Sequence, residues 1–386
     1  MENFAFHNPT EIIFGKGKVD EVGKKAAEFG KKVLLVYGQG SIKEIGLYDK
    51  VMKNLKKANL KVYELSGIKP NPRLSSVIEG IKLCEKHSID LILAVGGGST
   101  IDASKAISVG YYHEGDLWEM VREDGEFNHS LPVGVILTLA ATGSEMNANA
   151  VITNEKTNEK LAIHESVYPS FSILDPVNTF SVPRSQTVYG IVDIAAHVFE
   201  QYFSHTEETP LVDRWAEGIL TTLKKMSERV LVDPEDYQAR ANIMLCGTMA
   251  LNGLIGMGKS EDWASHAIEH EVSAIYDIPH GAGLAIIFPN WMEYVVDAGY
   301  NKFAIYADKV FGIEENMSEK EKALTGIEKT RKWFDDMGAP SSLADFDIGP
   351  ENLETMAEKA TRNGAIGHYK KLQKEDVLAI LEKSLD

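Results

Sequence analysis

Four side chains of this 386-residue chain, one carboxylate and three imidazoles, have the types and the spacing of a metal site. Asp193 and His197 are four residues apart in IVDIAAHVFEQYF, which places both on one face of a helix, one turn apart. His266 lies in a second helical pattern, DWASHAIEHEVSAIY, and His280 follows in the turn IPHGAG. Imidazole suits zinc, iron, copper and nickel, and a catalytic metal keeps one coordination position open. The four residues therefore predict a metalloenzyme.

The spacing of the histidines leaves alternatives open. His270 lies one helical turn beyond His266, and by spacing alone either could be the ligand. A lone Asp-x-x-x-His pair is more often a surface or capping pair, and His280 before Gly281 could cap a helix end. For the metal site to be absent, each of these ordinary interpretations would have to be true in the same chain. The chain also has two glycine-rich strand ends, so the metal site is the better hypothesis.

The elements that must carry these residues differ between the two halves of the chain. Apolar runs typical of buried strands alternate with helical patterns in the first half, and this predicts a mostly parallel sheet with helices on both faces. After Pro183 the apolar spacing is mainly helical. We therefore predict an α/β domain over residues 1–180 and a helical domain over residues 181–386. The predicted strands are KKVLLVYG, LKVYEL, DLILAV, PVGVILTL and SFSILDP.

Two of these strands end in loops suited to a dinucleotide. Gly96-Gly97-Gly98-Ser99 stands between a strand and a helix, where glycines let the backbone approach a pyrophosphate and the helix N-terminus favours its charge. The alternative is a plain tight turn. TLAATGSE also follows a strand, and Thr138, Thr142 and Ser144 could bind a cofactor or could cap a helix start.

A third strand end bears on the choice of cofactor. The strand KKVLLVYG leads into Tyr37-Gly38-Gln39-Gly40-Ser41, with Lys43 close behind. In many dinucleotide folds an acidic residue near a strand end binds the ribose hydroxyls of NAD, and none precedes Glu44 here. Gly38, Ser41 and the nearby lysine leave space for a 2′-phosphate, which favours NADPH over NADH.

Bulk properties exclude several classes of protein. The net charge of -17 and a pI near 5.2 argue against a nucleic-acid partner. The two cysteines, Cys84 and Cys246, do not form a disulfide framework and fit a reducing cytoplasm. The N-terminus shows no signal-peptide pattern, and no apolar run reaches the ~18–20 residues of a membrane span. We expect a cytoplasmic enzyme without a membrane partner.

The motifs GGGSTIDASKAI, TGSE, DPVNTFSVP, D-x-x-x-H, H-x-x-x-H and IPHGAGLAI together resemble the iron-dependent (group III) alcohol dehydrogenases over nearly the whole chain. The forms TLAATGSE and YGQGSIK are most similar to the butanol dehydrogenase and broad-range aldehyde reductase branch, which typically favours NADPH. One departure is Ala141, where many relatives carry glycine.

The resemblance implies the dehydroquinate synthase-like fold of this family: an α/β nicotinamide-cofactor-binding domain followed by an all-α metal-binding domain. It implies that Asp193, His197, His266 and His280 hold one Fe²⁺ or Zn²⁺, and that His270 lies near the metal and relays protons. It also suggests a homodimer. The residues that it places around the cofactor are Asn71, Gly97, Gly98, Ser99, Thr138, Thr142 and Lys160.

The expected reaction is hydride transfer between NAD(P)H and small primary aldehydes or alcohols such as butanal and butanol. The alternatives on the same fold are a polyol (glycerol-type) dehydrogenase and a dehydroquinate synthase. A sugar-phosphate substrate should need several basic residues, and the segments IVDIAAHVFEQYF and SHAIEHEVSAIYDIPH contain none. The sequence therefore favours a small, weakly polar substrate.

Overall fold

Strands and helices alternate through the first half of the computed structural model, which describes residues 1–123, 125, 127–164, 167–313 and 316–386. The predicted strands follow from runs of buried apolar residues bounded by glycine or by polar turns. The elements are β1 (Glu11–Phe14), α1 (Val22–Ala26), β2 (Lys32–Tyr37), α2 (Ser41–Glu44), α3 (Leu47–Lys57), β3 (Lys61–Leu65), α4 (Leu74–His87), β4 (Leu91–Gly96), α5 (Gly98–Gly110), α6 (Leu117–Arg122), β5 (Val133–Leu137), β6 (Ala150–Asn154), β7 (Glu159–Ile163) and β8 (Phe171–Leu174).

The main sheet has the strand order β1-β8-β5-β4-β2-β3, and all of its neighbouring strands are parallel. The predicted parallel sheet is therefore confirmed. From β2 the chain crosses to β3 on one side, whereas from β4 it crosses to β5 on the other side. The order thus reverses between β2 and β4, and ligands of open α/β sheets bind at such a point, outside the carboxyl ends of the strands.

Both faces of the sheet are buried, because its strands alternate apolar side chains between two hydrophobic cores. Leu34 and Val36 of β2 belong to one core, to which α4 and α5 contribute Val77 and Ile107. Val33, Leu35 and Tyr37 belong to the other, together with residues of α1 and α3. Helices on both faces were expected from the strand–helix alternation.

The antiparallel hairpin of β6 and β7 was not predicted from the sequence. Its strands pair Thr153 with Lys160, and the backbone N–H of Thr153 donates to the carbonyl oxygen of Pro72 (2.8 Å). The hairpin is therefore fixed to the PNP turn that precedes α4. It places Lys160, which is buried, near that turn.

The second half of the chain is helical, as predicted. Its core contains a cluster of aromatic rings around the end of the first long helix, where Phe203 stacks on Phe303 with a centroid separation of 4.2 Å. Phe199 and Trp291 join the same cluster. The helices are α7 (Arg184–Tyr202), α8 (Pro210–Val232), α9 (Tyr237–Ala250), α10 (Ala264–Tyr276), α11 (His280–Val295), α12 (Tyr300–Phe311), α13 (Glu319–Met337), α14 (Leu353–Ala360) and α15 (Lys374–Lys383).

The chain divides into two compact units that are not strictly continuous in sequence. The α/β unit comprises residues 7–182 and 234–244, and the helical unit comprises residues 1–6, 183–233 and 245–386. The division at residue 244 falls inside α9. Within the part of the chain that the structure describes, none of the helices combines the length and the apolar character that crossing a bilayer requires.

Candidate active site

Helix α7 carries the first two predicted ligands in the interior of the helical unit. Asp193 and His197 are both buried, and the i,i+4 spacing brings His197 Nδ1 to 3.7 Å from Asp193 Oδ1. That separation is too long for a hydrogen bond. The pair therefore faces a common space instead of being bonded together directly.

Helices α10 and α11 bring in the other two predicted ligands. His266 is a buried residue of the first turn of α10, and His280 is the first residue of α11. Glycines allow α11 to start close to its neighbours: a Cβ on Gly281 would lie 2.1 Å from the carbonyl oxygen of Tyr189 in α7. A Cβ on Gly283 would lie 2.7 Å from Cγ of Glu269 in α10. The PHGAG motif therefore positions His280 by close helix packing.

The structure brings three of the four predicted ligands into one cluster. One ligand atom each from Asp193, His266 and His280 lies within 4.8 Å of the others. His280 Nε2 is 3.6 Å from Asp193 Oδ1. His197 lies outside that set but next to it, since its ring is stacked on the ring of His266 with centroids 4.8 Å apart. A second cluster combines Glu269, His270 and His280.

Two buried glutamates, which were not identified from the sequence, hold two of the histidines. His266 donates from Nδ1 to Glu200 Oε1 (2.8 Å), and its backbone N–H donates to the same oxygen (3.1 Å). His280 donates from Nδ1 to Glu269. A carboxylate on Nδ1 fixes the ring and makes Nε2 the nitrogen that carries the lone pair, which is the usual arrangement behind a metal-bound histidine. Glu200 also accepts from the backbone N–H of Trp263 (2.7 Å).

Burial sets the charge states around these residues. It lowers the pKa of His197 well below its usual range, and the neighbouring His266 and His280 lower it further. His197 is therefore a neutral imidazole, the form that binds a metal. Burial also raises the pKa of Glu200 well above its usual range, with a second contribution from the charge of Asp262, whereas the hydrogen bonds from the backbone N–H groups of His266 and Trp263 lower this pKa.

Two further rings border the cluster. His270 is half-buried, and its ring centroid lies 5.5 Å from that of His280 and 6.4 Å from that of His266. Trp263 packs its indole against His266 at 5.1 Å and against His197 at 6.2 Å. Its Nε1 donates to Glu261 (2.6 Å), so the ring is held in place.

In the α/β unit most of the predicted cofactor residues lie at the carboxyl ends of β2, β4 and β5. Gly97 and Gly98 begin α5 directly after β4. A Cβ on Gly98 would lie 2.5 Å from Thr142 Oγ1, and Thr138 donates its N–H to the carbonyl oxygen of Gly96 (3.0 Å). The loops after β4 and β5 are therefore in direct contact. Gly143, with φ of 61°, supplies the left-handed residue of the second loop, and Ala141 is not required to do so.

The remaining predicted cofactor residues fall into three places. Asn71 is buried in the PNP turn and has a φ of 51°. Pro72 of that turn accepts a hydrogen bond from Thr153 in β6, and Thr153 pairs with Lys160 in β7. Gly38 and Ser41 follow β2, on the other side of the switch point from Gly97 and Gly98. Ser99 lies in the first turn of α5.

An acidic residue that was not identified from the sequence lies near the end of β2. Parallel pairing of β2 with β3 brings Glu64 beside Tyr37, whose hydroxyl donates to Glu64 Oε2 (2.8 Å). The hydroxyl of Tyr48 donates to the other oxygen of Glu64 (3.0 Å). Lys43 Nζ lies over the rings of Tyr37 and Tyr48, at 5.1 and 4.8 Å. The lysine and the carboxylate therefore belong to one cluster.

Comparison with known proteins matches both halves of the chain to one family. The model for iron-containing alcohol dehydrogenase matches residues 9–176, and the model for the C-terminal part of the Fe-containing alcohol dehydrogenase family matches residues 187–385. The chain belongs to the iron-containing alcohol dehydrogenase family.

Similar members of the family span the whole of this iron-containing alcohol dehydrogenase. A probable NADH-dependent butanol dehydrogenase 1 of Bacillus subtilis is 50% identical over 100% of both chains. The NADPH-dependent aldehyde reductase YqhD of Escherichia coli is 38% identical over 94% of both. The crystal structure of an NADH-dependent butanol dehydrogenase A from Thermotoga maritima is 43% identical, covers 100% of this chain and 99% of that chain, and has a TM-score of 0.96.

Family membership makes this iron-containing alcohol dehydrogenase an oxidoreductase of alcohols and aldehydes that uses a nicotinamide cofactor and a metal. The cluster in the helical unit has a donor set that fits such a metal. Two tetrahedral ligands about 2.1 Å from one ion lie about 3.4 Å apart, close to the 3.6 and 3.7 Å that separate Asp193 Oδ1 from two imidazole nitrogens. Three imidazoles and one carboxylate suit both Fe²⁺ and Zn²⁺.

Proposed function

We propose that this enzyme interconverts small primary aldehydes and alcohols, with butanal and butanol as representative substrates and NADPH preferred over NADH. The observation that carries the proposal is the cluster of Asp193, His266 and His280, with His197 stacked on His266 beside it, in which Glu200 and Glu269 hold two of the rings. The names of relatives, both butanol dehydrogenases and an aldehyde reductase, support the substrate class.

The four ligand residues would hold one Fe²⁺ or Zn²⁺, in a metal-binding domain formed by the helical half. When bound, the metal would supply a Lewis acid for the substrate oxygen. Asp193 would contribute the charge that partly neutralises the ion. Glu200 and Glu269 keep the Nδ1 protons of His266 and His280, so that each ring presents Nε2.

The α/β half would bind the dinucleotide, and its nicotinamide carries the hydride. The glycine-rich start of α5 suits the pyrophosphate, and Thr138, Thr142, Asn71 and Lys160 would line the rest of the site. The feature that supports NADPH is the turn after β2, where Gly38 has no side chain and Lys43 is a cation. A hydrogen bond with Tyr37 raises the pKa of Lys43, which keeps it charged.

A small, weakly polar substrate agrees with the side chains around the ligands. The segments of α7 and α10 that carry the ligands contain no lysine or arginine, either over residues 191–202 or over residues 265–280. Trp263 adds an indole ring beside His197 and His266. A phosphorylated substrate would need cations at these positions.

The decisive experiment measures butanal-dependent oxidation of NADPH and NADH before and after chelation, followed by addition of Fe²⁺ or Zn²⁺. We expect activity to disappear with the metal and to return when one of the ions is restored. Retention of full activity in metal-free protein would contradict the proposed role of the cluster. Absence of activity with both cofactors and either ion would turn attention to polyols such as glycerol.

His270→Ala separates the two histidines that spacing alone leaves open. We expect the variant to retain one metal per chain and to turn over about 10²-fold more slowly, because His270 borders the cluster and would pass protons to the substrate oxygen. Metal analysis and kcat with butanal check this. Loss of the metal would instead assign His270, together with Glu269 and His280, to the ion.

We also propose a cytoplasmic homodimer. Cys84 and Cys246 are both buried thiols, which agrees with a reducing compartment. In the α/β unit β1 is an edge strand of the sheet, so a second copy could pair with it. Light scattering in solution measures the mass of the assembly.

A further inference from the structure

Lys105, in the middle of α5, is a fully buried lysine to which the sequence motifs gave no role. Its ammonium donates to Ser144 Oγ (2.8 Å), to the carbonyl oxygen of Asn147 (2.8 Å) and its Oδ1 (3.1 Å), and to the carbonyl oxygen of Asn149 (2.8 Å). All of these acceptors belong to the segment that follows β5. One side chain of α5 therefore binds three residues of the segment between β5 and β6.

Asp102, one turn earlier in α5, completes the network. Its Oδ1 accepts a hydrogen bond from Ser144 Oγ (2.6 Å), and its Oδ2 accepts one from the backbone N–H of Val151 (3.0 Å). The Ser144 hydroxyl thus bridges the carboxylate and the ammonium of Lys105. A buried ion pair is weak evidence for stability, and the best-attested use of buried charges is to fix a register between elements.

The network reaches a predicted cofactor residue by two routes. Asn147 Nδ2 donates to the carbonyl oxygen of Thr142 (3.4 Å), and the backbone N–H of Ser144 donates to Thr142 Oγ1 (3.2 Å). The side chain of Thr142 in turn packs against Gly98, where an added Cβ would come within 2.5 Å of it. The contacts form a closed ring from the start of α5, through the loop, and back to Lys105.

We infer that Asp102 and Lys105 are positioning residues that hold the loop after β5 at a fixed distance from the glycine-rich start of α5, so that the dinucleotide enters a preformed site. The inference rests on the proposed function, because it takes these two loops as the cofactor site. Preorganisation lowers the cost of ordering a loop on binding. Neither residue needs to touch the cofactor to have this effect.

The test uses Ser144→Ala, which removes the hydroxyl that joins Asp102 to Lys105. We expect the Kd values of both NADH and NADPH to rise by about 10-fold or more, as for the loss of a buried hydrogen bond to a charged group. The ratio of the two Kd values should stay unchanged, since the pyrophosphate and nicotinamide are common to both. The metal content should also be unchanged, because none of the four predicted metal ligands takes part in the network. Binding is measured by fluorescence titration of the metal-loaded enzyme.

Ser104→Ala is the matched control on the same helix. Ser104 is buried like Ser144, but its hydroxyl donates to the carbonyl oxygen of Thr100 within α5 (2.8 Å). Its removal should leave both Kd values unchanged. Lys105→Met should have the larger effect, about 10²-fold or more, since it removes every bond of the ammonium to the loop. If Lys105→Met does not fold, Ser144→Ala still decides the question.

The possible outcomes separate a failure of the positioning role from a failure of the proposed function. A Ser144→Ala variant with a lowered melting temperature but unchanged Kd values for both cofactors would overturn the inference, because the network would then serve stability alone. Wild-type enzyme that binds neither NADH nor NADPH would overturn the proposed function before the variant is considered. The positioning role is supported if the wild-type enzyme binds the cofactors, Ser144→Ala binds them more weakly, and Ser104→Ala binds them as the wild type does.

Discussion

His280→Ala is expected to lose the bound metal and to lower kcat/KM for butanal by at least about 10³-fold, which corresponds to the several kcal/mol that a Lewis acid contributes. The reason is geometric. His280 Nε2 lies 3.6 Å from Asp193 Oδ1, and Glu269 fixes the opposite nitrogen of the ring, so the substitution removes a donor that is held toward the carboxylate. Metal content after reconstitution with Fe²⁺ or Zn²⁺, together with steady-state kinetics, checks both parts of this expectation.

Two companion variants make the result interpretable. His164→Ala removes an exposed histidine far along the chain from the cluster and should leave metal content and kinetics unchanged. Glu269→Gln keeps His280 but weakens its support, and the metal affinity should fall by about 10- to 10²-fold. A His280→Ala variant that still binds one tight metal ion per chain would remove His280 from the ligand set.

The residues that the sequence could identify are those whose position depends on local periodicity. The i,i+4 spacing is sufficient to put Asp193 and His197 on one face of α7, and the structure has them 3.7 Å apart. Contiguous apolar residues bounded by glycine were similarly sufficient to predict β2 and β4 as strands, because strands buried on both faces have that pattern.

The residues that could not be identified in this way depend on contacts between distant elements. Glu200 meets His266 across 66 residues, and Glu269 meets His280 across 11, because helix packing brings α10 against its neighbours. A local signal did exist for both. Each glutamate follows a predicted ligand by three residues, His197 in one case and His266 in the other, and therefore shares its helix face.

Pairing between strands accounts for the other differences. Glu64 reaches the end of β2 only because β3 is its parallel neighbour, which no spacing within β2 could indicate. The β6–β7 hairpin has polar residues along much of its length and a turn through Asn158, with φ of 51°. Its position is set by the backbone hydrogen bond from Thr153 to Pro72, which joins residues that are far apart in the sequence.

Gly38→Asp is expected to change the cofactor preference more than any other single substitution in the α/β half. Gly38 directly follows β2, and a Cβ there would meet only the carbonyl oxygen of Ile68, at an ordinary 3.5 Å. The φ of Gly38 is not in the left-handed region, so the change brings no backbone strain. A carboxylate at such a strand end binds the ribose hydroxyls of NADH and repels the 2′-phosphate of NADPH.

The expected shift is a fall of about 30-fold in the ratio of kcat/KM for NADPH to kcat/KM for NADH, equivalent to about 2 kcal/mol of like-charge repulsion. Gly38→Asn is the matched control, since it adds a side chain of the same size without the charge and should move the ratio far less. Equal effects of the two substitutions on this ratio would mean that the size of the added side chain, and not its charge, changes the cofactor preference. A ratio left unchanged by the carboxylate would show that the turn after β2 does not face the adenosine ribose, because like charges in contact must repel each other.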